Sequence, residues 1–193
     1  MRPEEVLESI EKEAVQRQLP IIGPRRGQFL DEAVSEHRPD RILEVGTLVG
    51  YSAIRMGRHL TGGQRMTCVE LSEAMARVAR ANFERAGIAE RIDVIVGDAL
   101  KVLPTLKGTL DLVFFDAVKE DYLAYLKSIE HLLHSGSVVV ADNVRSHADA
   151  VESYLDYVRN SGKYRSTIRE SKDNYRYRSG LTEDDAVEIS VRL

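Results

Sequence analysis

Residues 42–52 read I-L-E-V-G-T-L-V-G-Y-S, and this stretch limits the possible folds most tightly. An apolar run ends on Gly46, a second glycine follows at position 50, and then come a polar residue and helix-forming sequence. That is a strand, a tight glycine turn and a helix start. In open α/β sheets, ligands bind just outside the carboxyl ends of such strands. The stretch therefore argues for a nucleotide-like ligand.

Strand and helix signals alternate around this turn. Residues 3–18 are expected to form an amphipathic helix. Pro3 suits its first turn, Glu4 and Glu5 suit the positive end of the dipole, and Val6, Leu7, Ile10, Ala14 and Val15 can share a face. Pro20 and Pro24 bracket a short extended linker. A second helix is expected over 25–36, with Pro39 stopping it. Strands at 41–45, 64–70, 92–96, 110–115 and 137–141 then alternate with helices at 51–60, 73–86, 121–133 and 147–160. Ser72 is placed to cap one of these helices and Gly87 to end it. Two strands, 164–170 and 186–191, close the chain without a helical pattern between them. The order predicts a mostly parallel sheet wrapped by helices, with an antiparallel edge. A length of 193 residues suits one domain with a sizeable core, spanning 1–193 with 1–38 as an N-terminal helical cap.

Several classes are disfavoured. No stretch reaches the roughly 18 apolar residues of a transmembrane helix, and the acidic opening M-R-P-E-E-V lacks the apolar region of a signal peptide. The single cysteine, Cys68, rules out an internal disulfide framework. A reducing cytoplasm is the expected setting, with no membrane partner. A formal net charge of −4 argues against the whole chain being a nucleic-acid binder.

A parallel sheet brings its strand ends to one edge, and here the ends are acidic: Glu44, Glu70, Asp98, Asp116 and Asp142. Single acids at strand ends are common as helix caps, but five in register are hard to explain by capping alone. Glu70, at the end of the second strand, can accept hydrogen bonds from ribose hydroxyls. A dinucleotide site wants G-x-G-x-x-G so that backbone approaches a pyrophosphate. The pattern here is Gly46-x-x-x-Gly50 behind Glu44, and a carboxylate repels a pyrophosphate but favours a cation. S-adenosylmethionine, with an ammonium, a sulfonium, a ribose and no phosphate, fits that charge better than NAD. Asp98 is then placed to accept from the adenine amino group, with Ala99 beside the ring.

Asp116, Asp142 and Asn143 offer oxygen ligands from adjacent strand ends, the hard-ligand chemistry of Mg²⁺, Mn²⁺ or Ca²⁺. Mg²⁺ suits a partial protein cage of this kind. The bland alternative is a turn at 142–143. Lys119, three residues past Asp116, is a candidate general base, since a nearby cation lowers a lysine pKa. Among weaker candidates, His131 and His134 read as surface or helix-end groups. His147 is near enough to line the site, Cys68 reads as a buried small apolar residue, and Tyr122 and Tyr125 read as packing.

Together, E-V-G-T-L-V-G-Y-S, V-E-L-S, G-D-A, F-F-D-A-V-K-E-D-Y and A-D-N-V resemble the cation-dependent, S-adenosylmethionine-using O-methyltransferases, of which catechol and caffeoyl-CoA O-methyltransferases are familiar members. The resemblance runs from about residue 19 to the C-terminus. It implies a Rossmann-like methyltransferase fold with strand order 3-2-1-4-5-7-6 and strand 7 antiparallel. It implies a divalent cation, first of all Mg²⁺, at Asp116, Asp142 and Asn143, and cofactor contacts at Glu44, Gly46, Ser52, Glu70, Asp98, Ala99 and Asp116. Ile22 falls in the segment that covers the cofactor, and Lys119 in the place of the catalytic base, next to Asp116. Ile22 stands where some relatives have a small hydroxyl residue, so its contact would be backbone or apolar. The segment after Asn143 lacks the long substrate-capping insertion of the plant enzymes.

The implied acceptor is a small catechol-like or polyhydroxylated molecule. Some relatives methylate hydroxyuridine in transfer RNA. The run 163–178, with six basic and two acidic residues, is a candidate landing surface for RNA, with Arg25, Arg26 and Arg145 near its rim. A nicotinamide-dependent oxidoreductase and a non-catalytic cofactor-binding protein are the rival classes. The glycine spacing speaks against the first, and the intact set Asp116, Lys119, Asp142 and Asn143 against the second. The apolar positions 6, 7, 10 and 14 serve equally for a homodimer contact, as in many relatives, or for packing on the chain's own domain.

Overall fold

The protein is described as a computed structural model covering residues 1–176 and 182–193. The outer part of the basic run 163–178 lies outside the described residues. Seven strands form one sheet: β1 (Arg41–Val45), β2 (Arg65–Glu70), β3 (Ile92–Val96), β4 (Leu110–Phe115), β5 (Leu133–Ala141), β6 (Tyr164–Arg176) and β7 (Thr182–Arg192). Their order is β3-β2-β1-β4-β5-β7-β6. The first five are parallel, and β7 runs antiparallel between β5 and β6. The expected fold and order are both found.

The α-helices are α1 (Pro3–Arg17), α2 (Gly23–His37), α3 (Tyr51–Gly57), α4 (Glu73–Arg85), α5 (Ala99–Val102), α6 (Tyr122–Ile129) and α7 (Ala148–Asn160). Successive side chains of a strand point to opposite faces, and the core divides accordingly. Ile42, Leu112, Phe114, Val138 and Val140 face α1–α4 in one apolar cluster. Leu43, Val45, Val113, Phe115 and Val139 face α6 and α7 in the other. Covering both faces explains why these strands read as continuous apolar runs. Helix α1 buries Val6, Leu7, Ile10 and Ala14 against its own domain.

Some boundaries differ from expectation. Helix α2 starts earlier, because Gly23 and Pro24 serve as its first residues rather than as linker; proline lacks only an amide that is unpaired there anyway. The segment 121–133 is not one helix. Short 3-10 turns at Lys119–Asp121 and Glu130–Leu132 flank α6, and β5 begins at Leu133. His134 therefore lies on a strand, with its ring on Asp111 at 2.8 Å, and is not paired along a helix with His131. The closing strands are longer than expected because they pair with each other from Tyr164↔Arg192 out to Arg176↔Thr182.

The order reverses between β2-β1 and β4-β5, so the turn after β1 sits at the switch point where such sheets bind ligands. The antiparallel sense of β7 matters as well. Its N-terminal residues reach the edge where the parallel strands end, and Val144 N–H donates to the Ala186 carbonyl at 3.1 Å.

Candidate active site

A cleft of about 860 Å³ opens along this edge, within the range of small-molecule sites. The turn after β1 forms its floor. Gly46 has φ +92°, and a Cβ there would stand 2.1 Å from the Asp116 carbonyl oxygen, so only glycine lets β1 and β4 close together at this point. Gly50 has φ +86°, and a Cβ would meet the Phe83 ring at 2.5 Å.

Of the residues expected to hold a cofactor, Ile22, Gly46, Ser52, Glu70, Asp98, Ala99 and Asp116 line the cleft. Glu44 does not. It is fully buried beneath the floor, where Ser52 Oγ donates to its Oε1 at 2.5 Å. Among the described residues its Oε2 has no hydrogen-bond partner of normal geometry, although Cys68 and Thr47 stand close enough to favour its charged form. Burial pushes its pKa from 4.5 up to about 7, with the Ser52 hydroxyl opposing. A buried carboxyl beneath an open glycine turn is better matched to a ligand with a cationic head than to one with a pyrophosphate.

Glu70 has a second task. Its Oε2 accepts from Thr47 N–H at 3.0 Å and Leu48 N–H at 2.8 Å, and its Oε1 accepts from Ser72 N–H at 2.9 Å. The carboxylate fastens the glycine turn and keeps acceptor capacity on Oε1. Asp98 caps α5, accepting from Leu100 N–H at 3.0 Å. Ile22, 2% exposed, brings apolar surface from the start of α2.

The opposite wall is built by the ends of β4 and β5. Phe115 pairs with Ala141, so Asp116 and Asp142 follow in register. Tyr122 buttresses both strand ends from behind, its hydroxyl donating to the carbonyls of Phe115 at 3.0 Å and Asp142 at 3.3 Å. Lys119 Nζ lies 2.7 Å from Asp116 Oδ1. It sits in a 3-10 turn rather than at an α-helix start. His147 lines the cleft beside Ser146.

Asp142 is 1% exposed. Burial raises its pKa to about 7 even though Arg26 stands beside it, and Asp116 and Asp185 add repulsion. Among the described residues no group of three or more His, Cys, Asp or Glu side chains forms a metal cage; the expected trio holds two carboxylates and a carboxamide. Asn143 donates through Nδ2 to Asp185 Oδ2 at 2.7 Å, which turns its Oδ1 the other way. Asp116 and Asp142 each already have one cationic side chain at one oxygen, and with the Asn143 carboxamide they supply the hard oxygen donors that a divalent cation takes.

Two residues at this wall escaped the sequence reading. Arg26 was expected at a solvent rim, but it is 6% exposed and its Nη1 bridges Asp142 Oδ1 at 2.8 Å and Asp185 Oδ2 at 2.9 Å. Asp185 carried no signal at all, because its partners Arg26 and Asn143 lie 159 and 42 residues away. Arg145 does lie outward, pairing with Glu170 at 3.4 Å. Cys68 is buried beside Glu44, and burial raises its pKa, as does that carboxylate. Tyr125 is mostly packed but shows an edge to the cleft.

Comparison with known proteins bears on what such a cleft does. Residues 2–191 match the family model described as O-methyltransferase. Catechol O-methyltransferase B of Danio rerio is 36% identical over 99% of this chain and 73% of its own length. Catechol O-methyltransferase of Mus musculus is 33% identical over 86% of this chain and 64% of its own. The chain thus spans less than two thirds of the mouse relative. Among solved structures, the O-methyltransferase from Bacillus cereus in complex with SAH superposes with a TM-score of 0.84 at 28% identity, covering 97% of this chain and 91% of that one. Among the described residues, no helix is long and apolar enough to cross a membrane.

Proposed function

Since this chain belongs to the S-adenosylmethionine-dependent O-methyltransferase family, we propose that it transfers a methyl group to a hydroxyl of a small catechol-like or polyhydroxylated acceptor with the help of a divalent cation, Mg²⁺ first of all. One observation carries the reading: Asp116, Lys119, Asp142 and Asn143 share one wall of the cleft whose floor is the glycine turn.

When bound, S-adenosylmethionine supplies an electrophilic methyl group on sulfur, and a divalent cation lowers the pKa of an acceptor hydroxyl. Asp116, Asp142 and Asn143 would hold the cation through side-chain oxygens. Gly46 leaves the turn open to the cofactor, and Glu44 lies beneath it, where a cationic head bound above would favour its ionised form. Glu70 keeps the turn in shape and has a lone pair left for a ribose hydroxyl. Ile22 covers the cofactor side and excludes water. Lys119 Nζ, held in place by Asp116, would take the proton from the acceptor hydroxyl as the neutral amine, a form that a nearby divalent cation favours. Most of the catalytic gain asked of the protein is positioning, worth up to roughly 7–11 kcal/mol in well-aligned systems.

The test is methyl transfer from radiolabelled S-adenosylmethionine to a catechol and polyol panel, with Mg²⁺ or with chelator. Product should form only with Mg²⁺, and Asp142→Ala should lose it. Undiminished turnover in chelator would overturn the cation's role.

A further inference from the structure

Asp185 sits behind the acceptor wall, on the antiparallel strand, outside the cleft lining and outside every sequence motif. Its carboxylate is 2% exposed and collects six donors. Oδ2 accepts from Asn143 Nδ2 at 2.7 Å, Ser146 Oγ at 2.7 Å and Arg26 Nη1 at 2.9 Å. Oδ1 accepts from the backbone N–H groups of Ala186 at 2.8 Å, Ser146 at 3.1 Å and Arg145 at 3.3 Å. Only an ionised carboxylate offers acceptors on both sides and no donor.

We propose that Asp185 is a positioning residue that decides which end of the Asn143 carboxamide faces the cleft. The inference rests on the reading of Asp116, Asp142 and Asn143 as cation ligands. Asn143 has φ +61°, a left-handed conformation that asparagine tolerates better than most residues. With the backbone held in the 143–147 turn by the His147 N–H on the Asn143 carbonyl, the main freedom left to the side chain is a half-turn of the amide. One orientation gives the NH₂ to Asp185 and presents Oδ1 to the cleft. The other sets Oδ1 against the Asp185 carboxylate and presents the NH₂, a donor, to any cation. The carboxylate favours the first by attraction and penalises the second by repulsion. Arg26 bridges Asp185 and Asp142 and so holds the two acids at one place. Partners that orient a metal ligand in this way typically contribute 10- to 100-fold in metal affinity.

The test is Mn²⁺ affinity, read by electron paramagnetic resonance on the full chain with S-adenosylhomocysteine bound. Asp185→Asn keeps a single acceptor oxygen, and with the three fixed backbone N–H groups claiming it, an NH₂ is left opposite the Asn143 NH₂. Mn²⁺ affinity should fall about 10- to 100-fold, with metal-free S-adenosylhomocysteine affinity unchanged. In an Asn143→Ala background the same substitution should cost nothing further, because no amide is left to orient. Equal losses in both backgrounds, or no loss in either, overturn the proposal. Absence of Mn²⁺ binding by the unsubstituted chain overturns the cation reading and this inference with it. Should Asp185→Asn fail to fold, ¹⁵N-asparagine labelling of the unsubstituted chain decides. The side-chain amide signal that vanishes in Asn143→Ala should exchange with solvent more slowly than exposed asparagine amides, with and without Mg²⁺. Free exchange overturns the proposal.

Discussion

Replacing Glu44 with glutamine should stabilise the ligand-free protein, and by an amount that depends on pH. Glu44 is fully buried, with one oxygen on Ser52 and the other without a partner of normal geometry among the described residues. Burial raises its pKa from 4.5 to about 7. At roughly 1.4 kcal/mol per pH unit, that gap corresponds to about 3 kcal/mol. A carboxyl that is harder to ionise in the folded chain than in the unfolded one leaves the fold unpenalised below pH 4.5. It costs stability progressively as pH rises toward 7, after which the cost is constant. Glutamine keeps the acceptor for Ser52 and carries no charge. The difference in melting temperature between Glu44→Gln and the unsubstituted chain should therefore grow in favour of glutamine between pH 5 and pH 8. Its expected size is about 5–10 °C for a domain of this length. Other titrating groups are common to both proteins and cancel in the difference. Thermal unfolding by circular dichroism across that range, without cofactor, measures it. Saturating S-adenosylhomocysteine, which brings an ammonium, should shrink the gap at pH 8. A difference that stays flat from pH 5 to pH 8 would refute the idea of a buried, under-compensated carboxylate.

Gly46→Ala forces a side chain into a left-handed backbone, a cost of roughly 1–2 kcal/mol, and drives its Cβ onto the Asp116 carbonyl oxygen. Unfolding stability should fall by more than about 2 kcal/mol, and a melting temperature within 2 °C of the parent would contradict the close approach. Lys119→Met should lower kcat by about 10²- to 10⁴-fold, the range for a lost general base. The affinity for S-adenosylhomocysteine, measured by calorimetry, should stay within about twofold, because the side chain serves the acceptor wall; an unaltered kcat would remove its role as base.

The central parallel strands β1, β4 and β5 were legible because both their faces are covered. Runs such as Leu112 to Phe115 and Val138 to Ala141 are apolar throughout, and acids and glycines mark where each one ends. The segment 121–133 was misread because its apolar spacing serves a helix and a strand alike. Pairing of Leu110 with Leu133 across the sheet overrides the local helical preference and starts β5 early. Local pattern has no access to that pairing.

The same division runs through the site. Asp116, Lys119, Asp142, Asn143 and the glycine turn lie at the ends of parallel strands, and a parallel sheet must bring those ends to one edge. Their convergence follows from the alternation of elements alone. Glu70 was legible as a strand-end acid, but its bonds to Thr47 and Leu48 depend on the packing of β2 beside β1. Arg26 and Asp185 meet only because β7 turns back between β5 and β6. An antiparallel strand presents its beginning where its neighbours present their ends. Asp185 therefore reaches the acceptor wall from the far end of the chain, and α2 delivers Arg26 to the same point from near the start. A residue whose role depends on strand direction leaves no mark in spacing or composition. The antiparallel strand thus adds a buried hydrogen-bond acceptor behind Asn143 and Arg26, where the parallel strands contribute only their ends.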